Sequence, residues 1–178
     1  MLTVLLGGAR SGKSSLAQQM ARPHDGPVTV IATGEPRDDE MAARIARHRA
    51  ERPAEWETIE EPLDLSSALR KASGDAFVIV DCLTLWVSNA LEGGWDDDKI
   101  AERATEAAAL AAARDAPVVT VSNEVGWGIV PIEPLARRYR DVLGRTNAIW
   151  CEHAARALLI AAGRALPLAR AAEVLGDG

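Results

Sequence analysis

Cysteine is scarce in this 178-residue chain: Cys82 and Cys151 are its only two, each inside an apolar stretch and without metal-like spacing to a partner. That usage points away from a disulfide framework and suits two buried thiols in a reducing cytoplasm. Long apolar runs are missing, since none approaches the ~20 residues that crossing a bilayer requires. The apolar N-terminus leads straight into a glycine-rich loop with no cleavage-site pattern, so a cytoplasmic protein without a membrane span is expected. An excess of positive charge is also missing. The formal net charge of -6 opposes general nucleic-acid binding, because a polyanion is repelled unless basic residues gather on one face. Internal repeats are absent too.

What is present fits one globular domain. Hydrophobic residues make up 48% and charged residues 26% of the chain, enough apolar material for one core and too short a chain for two ordinary ones. The expected division is a single domain over 1–170 and a C-terminal tail, 171–178, without strong pattern. Short runs rich in Val and Ile alternate with helical patterns, which predicts an α/β fold with a mostly parallel sheet and helices on both faces. The expected strands are Leu2 to Leu6, Val28 to Ala32, Phe77 to Asp81, Val118 to Ser122 and Ala157 to Ala161, with a weaker extended segment at Trp56 to Ile59. Helices are expected over Lys13 to Arg22, Asp39 to Arg52, Leu63 to Ala72, Leu83 to Leu91 and Asp97 to Arg114, with one or two more between Glu133 and Ala155.

The segment Gly7-Gly8-Ala9-Arg10-Ser11-Gly12-Lys13-Ser14 follows an apolar strand and opens a helix, the context that the phosphate-loop pattern G-x-x-x-x-G-K-[ST] requires. Small residues let the backbone curl so that several N–H groups face one phosphate, with the positive end of the helix dipole behind them. Lys13 would bridge β- and γ-phosphates, and the Ser14 hydroxyl would bind Mg²⁺. A second magnesium anchor is expected at the end of another strand, where Phe77-Val78-Ile79-Val80 delivers Asp81 to the carboxyl edge of the sheet. Asp81 could equally cap the helix that follows. No [NT]-K-x-D tetrapeptide occurs, which disfavours a regulatory GTPase.

The stretch from Asp38 to Arg52 reads as a helix with an acidic start and a basic end, both suited to the helix dipole. Arg44, His48 and Arg52 fall at i, i+4 and i+8 along one side, with Arg47 and Arg49 flanking. One histidine among four arginines is an unusual electrostatic choice: an imidazole in its neutral form would be a nucleophile, and the arginines would hold a polyphosphate. Spacing alone fits a solvated basic face equally well. His24 and His153 read as surface or packing residues. Glu60 and Glu61 could meet a ribose or purine edge or simply begin the next helix. The segment Ser122 to Pro131 leaves a strand on the same edge as the phosphate loop, and its Trp127 either covers a bulky ligand or plugs the core. Arg137, Arg138 and Arg140 could reach phosphate or a neighbouring subunit.

Taken together, GGARSGKS, IATGEP, DDEMAARIARHRAERP, WETIEEPLDL, VDCLTLWVSN, SNEVGWGIVP and LARRYRDVLGRTN resemble the bifunctional adenosylcobinamide kinase and adenosylcobinamide-phosphate guanylyltransferase family of cobalamin biosynthesis. The resemblance spans nearly the whole chain. It implies a RecA-like P-loop NTPase fold, a homotrimer, ATP and GTP as substrates with Mg²⁺, and adenosylcobinamide and its phosphate as acceptors. It implies that His48 is guanylylated by GTP. It also implies that Gly7 to Ser14, Ala32, Thr33, Gly34, Arg49, Ala50, Glu51, Arg52, Glu60 or Glu61, and Asp81 or Cys82 surround the nucleotide. The chain departs from the family at Asn147-Ala148, where Asn-Gln is usual, and at Ala155-Arg156, where an acidic residue is expected. Two other readings stay open on the residues alone: a different small-molecule kinase whose arginine helix is a lid, and a nucleotide-dependent binding module.

Overall fold

A computed structural model describes residues 1–176. Seven strands form one sheet in the order β3-β2-β4-β5-β1-β6-β7: β1 (Leu2–Leu6), β2 (Val28–Ala32), β3 (Glu57–Glu60), β4 (Phe77–Asp81), β5 (Val118–Val121), β6 (Arg156–Ala161) and β7 (Arg164–Leu168). The first six pair parallel, and β7 runs antiparallel along β6. Strands β1, β4 and β5 read as nearly continuous apolar runs, broken only by the buried Thr3 and Thr120 and ended by Asp81, because both of their faces are covered.

The cover is uneven. On one face, α3 (Leu65–Lys71), α4 (Leu83–Glu92), α5 (Asp97–Ala113) and α6 (Pro134–His153) enclose a cluster around Leu2, Val4, Trp86, Ile100, Leu143 and Trp150. On the other, α1 (Lys13–Ala21) lays Ala17 and Ala21 over Leu5, Val30, Ile79 and Val119. The alanines of α5 are its buried stripe, Ala104, Ala107, Ala108 and Ala111, and their lack of bulk lets the helix lie close to its neighbours. Helix starts follow local chemistry. Asp38, Asp64 and Asp96 each accept a backbone N–H three residues on, and Pro134 sits in the first turn of α6.

Two elements differ from expectation. Strand β7 was not foreseen: Pro167 lies within it, and all five of its residues are exposed, so neither alternation nor an apolar run marks it. A proline is tolerated there because the strand is at the sheet edge. Ala162 and Gly163, both with positive φ, make the two-residue turn that forces β7 back along β6. Ala171–Leu175 forms a short helix, α7, with Glu173 reaching back to the N–H of Arg170, where a patternless tail was expected. The last two residues of that tail, 177–178, lie outside the described residues.

Register settles the functional edge. Glu60 pairs with Ala32, Ala32 with Asp81, Asp81 with Val121, and Val121 with Leu5. The carboxyl ends of five strands therefore form one row, with Asp81 two strands from Leu5, or roughly 10 Å at the usual strand spacing. The chain leaves β1 toward β2 on one side, while β6 lies on the other, so a crevice opens at this edge beside β1.

Candidate active site

A cleft of about 580 Å³ opens over that row, and its walls include Ala9 to Ser14, Ala32, Gly34, Arg44, His48, Arg49, Glu51, Arg52, Glu60, Asp81 and Cys82. Its size suits a small-molecule or cofactor ligand. Six basic side chains and four carboxylates line it, in a chain whose net charge is -6, so cationic charge is concentrated where an anion would sit.

The phosphate loop is held from three sides. Gly7 has φ +149° and lies against the Ile160 carbonyl of β6. Gly163 donates its N–H to the Ser11 carbonyl, and Glu124 donates its N–H to that of Gly7. The unforeseen β6–β7 turn is thus a brace for the loop. Gly12, at φ +103°, caps α1 without a side-chain partner, leaving first-turn N–H groups directed at the cleft. The Lys13 ammonium is buried beneath, donating to the carbonyls of Gly7 at 2.9 Å and Gly8 at 2.7 Å and to Ser11 Oγ at 3.3 Å. Burial pushes its pKa down, partly opposed by the Asp81 carboxylate and, where it is ionised, by Cys82. Three acceptors fix the ammonium under the place a phosphate would occupy.

Helix α2 (Asp39–Ala50) contributes no residue to the core. Its apolar stripe, Met41 and Ile45, faces the cleft, and Ile45 rests on Gly34, where any side chain would crowd both Ile45 and Leu85. The helix is a wall of the site. At its end, Arg52 places Nη2 3.6 Å from Asp81 Oδ2, with the arginine side chain only 9% exposed, and burial lowers its pKa. His48 Nδ1 lies 3.9 Å from the same carboxylate oxygen. The surroundings of His48 are therefore not arginine alone, as its own helix suggested. A carboxylate 33 residues further along the chain faces it.

The remaining expected residues divide. Arg49 pairs with Glu60 at 3.3 Å on the rim. Glu61 turns away and accepts the N–H groups of Leu63 and Asp64, serving the approach to α3. Thr33 is buried, and its hydroxyl both donates to the carbonyl and accepts from the N–H of Cys82, which ties β2 to the start of α4. The Cys82 thiol is pushed up to about 11 by burial and by Asp81. Ala50 is exposed on the outer side of α2 and is absent from the cleft lining. Asp81 does not cap α4; the capping position is Cys82, without a side-chain bond. Trp127 is 77% exposed and does not plug the core. Arg137 holds the carbonyls of Pro131 and Ile132, Arg138 joins Asp97 and the Trp95 carbonyl, and Arg140 pairs with Asp141. His24 and His153 bond backbone carbonyls away from the cleft.

Thr58, Leu85 and Asn123 also line the cleft without having been singled out. Asn123 had a readable signal, being a polar residue just past the end of a central strand. Its carbonyl is anchored by the Asn147 amide, which also accepts from Ser122, so Asn147 serves to fix that strand end.

A parallel sheet, a phosphate loop after its first strand and a basic cleft at its carboxyl edge define a P-loop α/β protein built to hold a nucleotide. A family model described as cobinamide kinase / cobinamide phosphate guanyltransferase matches residues 3–168. The bifunctional adenosylcobalamin biosynthesis protein CobP of Pseudomonas aeruginosa is 43% identical over 171 residues, covering 94% of this chain and 97% of the relative. The corresponding proteins named CobU from Escherichia coli and Salmonella typhimurium are 40% and 43% identical, each over 83% of this chain and 88% of their own. The chain belongs to the cobinamide kinase / cobinamide phosphate guanyltransferase family.

Proposed function

We propose that this protein carries out both reactions of its family on one cleft. In the first, the hydroxyl oxygen of adenosylcobinamide attacks the γ-phosphorus of ATP or GTP, and the nucleoside diphosphate leaves. In the second, a ring nitrogen of His48 attacks the α-phosphorus of GTP and pyrophosphate leaves. A phosphate oxygen of adenosylcobinamide phosphate then displaces the histidine, giving adenosylcobinamide-GDP. The observation that carries the reading is that His48 and the loop from Gly7 to Ser14 are walls of the same cleft, although β1 and β2, the strands that lead into them, have β4 and β5 between them in the sheet.

Lys13 and the loop N–H groups would hold the β- and γ-phosphates, while Arg44, Arg49 and Arg52 would meet charge developing at the α-phosphorus. Ser14 and Asp81 offer hard oxygen donors on the same cleft, a set that fits Mg²⁺. That ion commonly takes one or two protein oxygens plus substrate phosphates and neutralises phosphoryl charge. No three-residue metal-binding cluster occurs among the described residues, as suits an ion that arrives with its nucleotide. The reading includes a cytoplasmic homotrimer. Support for the assembly is the exposed apolar run of Val125, Trp127, Ile129, Val130 and Ile132, whose burial would need a partner surface.

Incubation with α-labelled GTP and magnesium is the test. An acid-labile, base-stable label that disappears in His48→Ala is expected. Phosphorylation of adenosylcobinamide without any protein label would reduce the function to a kinase, and a label persisting in His48→Ala would remove His48 from it.

A further inference from the structure

We infer that Asp81 is a positioning residue for His48: its carboxylate faces the Nδ1–H of the imidazole, leaves the Nε2 lone pair free and thereby directs GMP to Nε2. This rests on the guanylylated-histidine reading and adds the atom that reacts and the group that selects it.

Asp81 ends β4 and is paired in register on both sides, to Ala32 and Val121, so its backbone has little freedom. Arg52 fixes the carboxylate in turn, with Nη2 3.6 Å from Oδ2. His48 lies in the last turn of α2 and Arg52 just past its end; His48 brings Nδ1 to 3.9 Å from that same oxygen. Among the described residues Asp81 is the one carboxylate so close to the His48 ring. Because α2 has no buried residue, these contacts help to locate its C-terminal end, together with the cleft-facing Ile45 and the Arg49–Glu60 pair.

A carboxylate only accepts hydrogen bonds, so a neutral imidazole facing it through Nδ1 carries its proton there, and the lone pair is on Nε2. The separation of 3.9 Å exceeds a hydrogen bond, yet a carboxylate charge this near favours the tautomer whose N–H dipole points toward it, with or without nucleotide. In the transfer, the Nε2 lone pair forms the N–P bond while the bond from the α-phosphorus to the bridging oxygen breaks, its electron pair leaving on pyrophosphate. The proton remains on Nδ1, where the resulting imidazolium faces the carboxylate. When the acceptor's phosphate oxygen attacks, the N–P electrons return to Nε2 and the neutral tautomer is restored. The same logic of a buried carboxylate selecting a histidine tautomer operates in hydrolase triads.

The experiment uses the full chain with ¹⁵N-labelled histidine, free of nucleotide and metal, in alkaline buffer. Three histidines are present, and the His48 signals are those missing in His48→Gln. Long-range proton–nitrogen correlation is expected to give a protonated Nδ1 and a bare Nε2 in the unaltered protein, and a changed or mixed tautomer in Asp81→Asn. After reaction with GTP, phosphorus–nitrogen coupling is expected on Nε2. A proton on Nε2 in the unaltered protein, an unchanged tautomer in folded Asp81→Asn, or phosphorus on Nδ1 overturns the inference. If Asp81→Asn does not fold, the unaltered protein's tautomer and the site of phosphorus decide. A residue that served only as a magnesium ligand would leave the metal-free tautomer unmoved. Absence of any GMP adduct refutes the histidine reading itself and is distinguishable, since the tautomer is read without GTP.

Discussion

Replacing Gly7 by alanine separates the supported phosphate loop from a merely glycine-rich one. At φ +149° Gly7 holds a conformation that side-chain-bearing residues avoid, and its added Cβ would be driven into the Ile160 carbonyl while meeting Ser11 Oγ at 3.0 Å. Both obstacles are hard to move, because Ile160 is backbone within β6 and paired to β7, and Ser11 accepts from Lys13. Backbone strain of this kind costs about 1–3 kcal/mol, and forcing an extra carbon into a packed site costs about 1–3 kcal/mol more. The sum, about 2–6 kcal/mol, is a large part of the ~5–15 kcal/mol that domains typically possess. With a urea slope near 2 kcal/mol/M, the unfolding midpoint should fall by about 1–3 M. Gly8→Ala is the internal control: a Cβ there meets nothing within 4 Å, so stability should stay within about 0.5 kcal/mol. Urea titration of the two variants side by side is the assay. Equal midpoints, or a larger loss for Gly8→Ala, would refute the claim that β6 and its turn shape the loop.

Two further outcomes follow from the same geometry. Nucleotide with magnesium at a hundred times its Kd should stabilise the protein by about 2.7 kcal/mol, or roughly 5–11 °C in Tm for this chain length; Lys13→Ala should abolish the shift, and a retained shift would place the phosphates elsewhere. The Cys82 and Cys151 thiols, both raised to about 11 chiefly by burial, should react with a disulfide reagent at pH 8 about a hundredfold more slowly than an ordinary thiol, since thiolate falls from ~10% to ~0.1%. The sign for stability is then set: native thiols keep their protons longer than unfolded ones, so their contribution is complete below pH 9 and is lost as pH rises toward 11. Rapid labelling of the folded protein, or thiol-dependent stability that grows over that range, would contradict the burial.

Much of this was legible in order along the chain. The phosphate loop, the caps at Asp38, Asp64 and Asp96 and the apolar strands depend on neighbours within a few residues. Backbone periodicity and side-chain-to-backbone bonds report such short-range physics directly. Strand β7 was not legible, because an exposed edge strand with a proline carries no burial signal. Glu61 was not separable from Glu60 either. Adjacent residues on an extended segment point to opposite sides, and only the fold says which side is the cleft.

The chain order by itself determined that a phosphate-cradling loop, a basic histidine helix and an acidic strand end are all present, since each is a contiguous pattern. Only the tertiary structure decided that they meet. Register across five parallel strands sets Asp81 in the row that ends at Leu5, and the crossing of α2 over that edge brings His48 and Arg52 to one carboxylate oxygen. Such a meeting depends on strand pairing and helix placement summed over the whole core, which no local spacing encodes.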